Sequence, residues 1–236
     1  MFAIVNAVVE SVTGKRIDGG TVLVRDGRVA GVGAKVKVPK SAEVFDAGGK
    51  LVTPGFMDAH CHAGLVEDGI PHDRDINEKT DPVTPQLRAI DAFRPTDASL
   101  HEAAESGVTS VYITPGSANV IGGLGAVVKT VAPDLDAQIV RLDAGLKMAT
   151  GENPKRVYGE LNRMPSTRMG TAAVLRAALT DTKIYLEKKA RHARRRSGPK
   201  DPFEVDLGKE AIAGILDGRY PARCHAHRSI DMLTAI

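Results

Sequence analysis

Apolar and β-branched residues fill Phe2 to Val12, and the run ends at Thr13-Gly14. Thr21 to Val24 is a second short apolar run; Asp26-Gly27 follows as a hairpin signal, and Arg28 to Val32 returns before Gly33. Glu43 to Asp46 and Lys50 to Thr53, separated by Gly48-Gly49, complete a series of short strands. Such closely spaced strands with glycine turns predict a small antiparallel sheet or sandwich over residues 1–53.

The pattern changes at Thr53-Pro54-Gly55. Phe56 to His62 reads as a strand, Ala98 to Ser106 as a short helix ended by Gly107, and Val108 to Thr114 as a strand stopped by Pro115-Gly116. Thr171 to Arg196 is a long helical stretch broken at Ser197-Gly198-Pro199, and Lys209 to Leu216 is another helix, stopped by Gly218. Pro221 to His227 reads as a strand, and Ile230 to Ile236 as the start of a helix with no C-cap after it. Strand, helix and strand in series predict a parallel sheet with helices outside over residues 54–236. Two polar segments, Gly64 to Asp97 and Ser117 to Pro165, are expected to be long loops.

Composition agrees with a globular chain: 42% of the 236 residues are hydrophobic, with little aromatic content and no Trp. The net charge of +3 gives no argument for nucleic acid. The basic run from Lys188 to Arg196 lies at a helix end and lacks an aromatic platform, so it reads as a solvated terminus. Cys61 and Cys224 cannot make a disulfide framework and are expected to be reduced. No apolar run reaches the length of a membrane span, and Met1 to Glu10 does not read as a signal peptide. The expected compartment is the cytoplasm, with no membrane partner.

The chemistry concentrates in two His-x-His strands. In Pro54-Gly55-Phe56-Met57-Asp58-Ala59-His60-Cys61-His62, the histidines at i and i+2 point to one face and put two imidazoles in one pocket. Neutral imidazoles suit zinc, iron, nickel or manganese, and Asp58 on the same face can support a ligand from behind. Pro221 to Arg228 repeats the device with His225 and His227. Asp231, just beyond, is expected to cap the following helix. Gly122 to Thr130 resembles a phosphate loop at a glance but has Val128 where a glycine should precede the lysine. Ser117, Asn119 and Gly122-Gly123 follow a strand end and are candidates to touch substrate. His72 and His101 stand alone, with no role.

The first of these segments resembles the first-strand signature of the amidohydrolase superfamily, Pro-Gly-x-x-Asp-x-His-x-His, here directly after a small β domain. The resemblance, closest to the imidazolonepropionase-like subgroup, implies a (β/α)8 barrel of the TIM type, truncated after about strand five, so that the chain is expected to be a fragment. It implies a divalent metal, zinc first, as one or two ions, held by His60, His62 and His225. Lys147, carbamylated, or alternatively Glu152, would bridge two metals, and His227 would contact substrate or assist proton transfer. The expected reaction is hydrolysis of a C–N bond in a cyclic or linear amide by a metal-activated water. The expected partner is a small-molecule substrate, and a homo-oligomer is compatible with this reading. Two alternatives stay open: a truncated, non-catalytic metal-binding protein, and a hydrolase of the dipeptidase or phosphotriesterase kind.

Overall fold

In the computed structural model, which describes residues 1–66, 74–194 and 202–236, the chain divides into two compact units, Met1–Phe56 and Met57–Ile236. His72, Arg195, Arg196 and the Ser197-Gly198-Pro199 break lie outside the described residues.

The N-terminal unit is one five-stranded sheet. Strand β1 (Phe2–Val9) pairs antiparallel with β2 (Ile17–Arg25), and β2 with β3 (Arg28–Gly33). Asp26 and Gly27 both take positive φ, 52° and 70°, which is what a two-residue hairpin turn requires. The other edge of β1 departs from the antiparallel expectation: β4 (Glu43–Asp46) and β5 (Leu51–Val52) both run parallel to it. Gly48 and Gly49, both left-handed, do not reverse the chain; Gly49 N donates to Asn6 O, and β5 continues along the edge that β4 began. No second layer of a sandwich is found among the described residues of this unit. Ala7, Val9, Val22 and Ala47 form its core.

The second unit carries β6 (Phe56–Cys61), β7 (Val108–Ile113), β8 (Ile121–Lys129), β9 (Ile139–Ala149) and β10 (Ala222–His225), in the spatial order β10-β9-β8-β7-β6. Strands β9 and β10 are parallel, but β8 runs antiparallel to both β7 and β9. The purely parallel sheet expected from the sequence is therefore corrected to a mixed one. The expected loop from Ser117 to Pro165 contains two strands and two helices, and the glycines of β8 serve packing rather than turning. A Cβ on Gly123 would lie 2.6 Å from the Leu87 carbonyl oxygen, and one on Gly125 would lie 2.5 Å from the Tyr112 ring. The phosphate-loop look-alike lies in this buried strand, which leaves no cradle of free backbone amides.

Helices cover one face of the sheet. Helix α1 (Ala98–Glu105), N-capped by Asp97, contributes Leu100 to a cluster with Val111, Ile113, Ala126 and Val128. A four-residue helix, α2 (Leu135–Gln138), precedes β9, and α3 (Glu152–Glu160) follows it. Helices α4 (Arg168–Arg194) and α5 (Leu207–Leu216) pack Leu175, Ala211 and Ile212 against Leu124, Leu146 and Met148. Each fully buried aliphatic side chain here contributes roughly 1.5–3 kcal/mol. The last helix, α6 (Ser229–Ala235), follows β10. Side chains alternate along a strand, so Tyr112, Gly125, Gly145 and Lys147 belong to the opposite face from these clusters.

Candidate metal and substrate site

The site forms where strands of the second unit end. His60 is the penultimate residue of β6 and His62 lies just past it, with ring centroids 5.5 Å apart and nearly perpendicular. His60 N donates to Asp58 Oδ1 at 2.9 Å, so Asp58 braces the backbone of the histidine strand. Thr114, one residue past β7, donates its N–H to Cys61 O, which sets the ends of β6 and β7 side by side. The Thr114 carbonyl lies 2.7 Å from His62 Nδ1. A carbonyl only accepts, so Nδ1 carries the proton and the Nε2 lone pair is left for a ligand, which is the usual orientation of a metal-binding imidazole.

Lys147, on β9, is 1% exposed, and its Nζ lies 3.1 Å from His60 Nε2. Among the described residues no carboxylate pairs with it. Burial pulls its pKa down from 10.5 to about 8, opposed only by the neighbouring Cys224. The sheet makes room for it: Gly122 presents no side chain, and a Cβ there would touch Lys147 Cγ at 3.6 Å. Tyr112 crosses the same face from β7, its hydroxyl donating to Gly145 O at 3.2 Å, and the Arg223 guanidinium lies 5.2 Å over its ring.

Register brings the second His-x-His strand alongside. Arg223 pairs with Lys147 and His225 with Ala149, so His225 ends β10 next to the end of β9. His225 Nε2 lies 3.2 Å from Asn153 Nδ2, and the same amide nitrogen donates to Ser117 Oγ at 2.7 Å. His227 is exposed, its ring 4.6 Å from that of His225. Both strand histidines are held below the usual histidine pKa. For His60 the causes are desolvation, then Lys147 and His62; for His225 they are desolvation, then His227, Lys147 and His60. Each is thus kept neutral, the form that binds metal.

Among the described residues no three His, Cys, Asp or Glu side chains are gathered as a ready-made metal cage. The donor set nonetheless fits a divalent ion: two imidazoles at the end of one strand, a third on a neighbouring strand, and a buried amine where an anionic oxygen ligand would be needed. Glu152, the alternative bridge, is exposed at the first position of α3.

Two expectations are corrected here. Asn119 does not face substrate: it is 2% exposed, and its Nδ2 reaches Glu78 O at 2.6 Å and Asp81 O at 2.9 Å, clasping the segment before β7 to the turn before β8. Asp231 does not cap α6, whose N-cap is Arg228 with no side-chain bond. It lies buried in the first turn and accepts from Arg168 Nε at 2.8 Å, while its backbone carbonyl accepts from Thr150 Oγ1. Gly151, at φ 79°, allows this, since a Cβ there would lie 2.2 Å from the Asp231 carboxylate carbon. Sequence reading missed Asn153, Tyr112 and the Thr114 carbonyl. None carries a motif; only the strand register places them.

Chemistry gathered at strand ends, away from the helix-covered face, is the arrangement of an α/β protein with a strand-end site. Comparison with known proteins makes the relationship specific. The crystal structure of an amidohydrolase from Thermotoga maritima MSB8 superposes with a TM-score of 0.93 at 47% identity, over 100% of this chain and 60% of that one. Amidohydrolase tasK of Hapsidospora irregularis is 34% identical over 233 residues, covering 90% of this chain and 24% of that protein. A 5'-deoxyadenosine deaminase of Methanosarcina mazei is 35% identical over 100 residues, 40% of this chain and 23% of the deaminase. No family model matches. In sequence and in fold the chain is similar to proteins named amidohydrolase, and it spans about a quarter of tasK and three-fifths of the Thermotoga protein.

Proposed function

We propose that the chain is the metal-binding part of a hydrolase that cleaves a C–N bond in a cyclic or linear amide, built on a (β/α) barrel. The observation that carries this is the buried Lys147 amine, 3.1 Å from His60 Nε2 and without a carboxylate partner among the described residues, on the strand that registers with His225. The relatives support the bond type, since their names are amidohydrolase and deaminase. The imidazolonepropionase-like subgroup rests on the two His-x-His strands, and a small-molecule substrate in the cytoplasm accompanies that reading. No described helix is long and apolar enough to cross a membrane.

His60, His62 and His225 would hold the metal, zinc first, with Lys147 able to bridge a second ion. A divalent ion supplies an acidified water and a Lewis acid for the scissile carbonyl. The chain's own groups do the rest. Thr114 fixes the His62 tautomer. The lone pair of Lys147, neutral in a useful fraction near pH 8, would add to carbon dioxide, opening one C=O π bond onto oxygen and releasing one N–H proton to solvent, so that an oxygen-donor carbamate anion replaces a buried cation. Asn153 holds the His225 ring by its Nε2 edge, and His227, exposed beside it, can pass a proton to solvent.

The test is metal content by elemental analysis of the purified chain and of His60→Ala and His225→Ala variants, with folding followed by circular dichroism. About one transition metal per chain, lost in both variants, is the expected result. A folded parent chain without metal, supplied with zinc and bicarbonate, would sink the proposal.

A further inference from the structure

The helix after β9 lines a groove that leads to the site. Residues Asn153, Arg156 and Glu160 follow one another at helical spacing on one face of α3, opposite Asn77, Lys79 and Ser117. The cavity between them is about 270 Å3. It meets the site at Asn153, the residue that touches both Ser117 Oγ and His225 Nε2.

The polar groups of this groove share one character. Asn77 Oδ1 accepts from Ala118 N at 2.9 Å, which commits the oxygen to the wall and leaves Nδ2 as a donor for the groove. Ser117 Oγ accepts from Asn153, so its own O–H is available to donate. Lys79, from the segment around Asn77, and Arg156, from α3, add two cations to the lining. Glu160, the one carboxylate among the described lining residues, lies 3.6 Å from Arg156 and is exposed with it. A ligand entering here meets donors and positive charge, with a single acid to displace.

We infer that this groove binds a carboxylate substituent of the substrate and thereby sets its orientation at His225, so that the preferred amides are acidic ones. The inference rests on the hydrolase reading for its word substrate, but its test does not. An amide seated with its carboxylate between Lys79 and Arg156 is anchored at one end, while Asn153 brings the other end to the imidazole. Glu160 then acts against binding, as a built-in competitor for Arg156.

The test uses the full chain, freed of metal on a chelating resin, and two probes that differ only in charge: succinamate and its neutral diamide, succinamide. Titration calorimetry should show succinamate binding at least about tenfold more tightly, with the preference falling as salt is raised. Lys79→Gln and Arg156→Gln should each weaken succinamate binding about fivefold and leave succinamide unchanged, as expected for one solvent-screened charge at contact distance. Glu160→Gln should strengthen it about threefold, a gain that a merely structural role for the groove would not produce. Lys183→Gln, an equal charge change on exposed α4 surface, should do nothing. Equal affinity for the two probes, binding of neither, or a preference that survives the Lys79→Gln/Arg156→Gln pair overturns the inference. Because the protein is metal-free, a carboxylate preference together with absent metal uptake would fault the hydrolase reading alone. Metal uptake without the preference would fault only the groove.

Discussion

Lys147 offers the sharpest physical test of the site, because its environment works against its ordinary state. The change to make is Lys147→Met, which keeps the length of the side chain and removes the amine. A fall in pKa from 10.5 to about 8, caused first by burial, corresponds to about 3 kcal/mol of penalty on the charged form at about 1.4 kcal/mol per pH unit. With the side chain 1% exposed, solvent screening removes little of it. Below pH 8 both folded and unfolded chains carry the proton, and the folded state bears the full penalty. Between about 8 and 10.5 the unfolded chain binds the proton and the folded chain does not, so wild-type stability rises with pH. Above 10.5 both forms are neutral and the penalty is gone. Metal-free Lys147→Met should therefore be more stable than the parent by about 3 kcal/mol at pH 7, with the gap closing toward pH 10. Urea unfolding of both proteins at several pH values, in buffers free of carbon dioxide, measures it. A gap that does not change with pH, or a Met variant less stable than the parent at pH 7, would show that Lys147 is not held as a destabilised cation. The case for its carbamylation would then fall.

Three further outcomes follow from the same geometry. Gly151→Ala should cost about 3 kcal/mol in urea unfolding, because Ala is strained at φ 79° and its Cβ displaces the buried Asp231 carboxylate from Arg168. Glu210 accepts from Lys189 and, at 2.6 Å, from Tyr185, and these bonds, the lysine's first, hold its pKa below the usual 4.5. Its contribution is present above that value and lost as pH falls through the lowered folded pKa; Glu210→Gln should cost about 1 kcal/mol at pH 7 and nothing in strong acid, by thermal melts across pH. Tyr112→Phe should lose about 1 kcal/mol with the bond to Gly145 O, and its effect should be the same with and without metal.

Much of the helical part was legible because its signals are local. Asp97 and Asp206 cap α1 and α5 through their own side chains, and Gly107 and Gly218 end those segments. The histidine pairs were legible because alternation along a strand needs no tertiary information. Strand β8 was not, since Gly122, Gly123 and Gly125 argue locally for a loop. What keeps them in a strand is the Tyr112 ring and the Leu87 carbonyl, contributed from other parts of the chain. Direction within the sheet was hidden for the same reason: nothing in Leu51-Val52 says that it extends the edge begun by β4. Asp231 shows the limit most clearly. Its position invites a helix-capping assignment, and only the left-handed Gly151 and the distant Arg168 give it a buried ion pair instead.

That ion pair also explains how the site is held. Asn153 can meet His225 only if the chain turns sharply from β9 into α3, and the turn is made at Thr150 and Gly151. Thr150 N donates to His225 O, and its hydroxyl donates to the carbonyl of Asp231, so β9, β10 and α6 are tied at one point. Asp231 in turn anchors α4 through Arg168. This knot, which begins next to Ala149 at the end of β9, fixes the strand that carries the buried Lys147 side chain. A site that keeps an amine buried and imidazoles neutral needs such a frame, since each group would otherwise relax toward water and recover its charge.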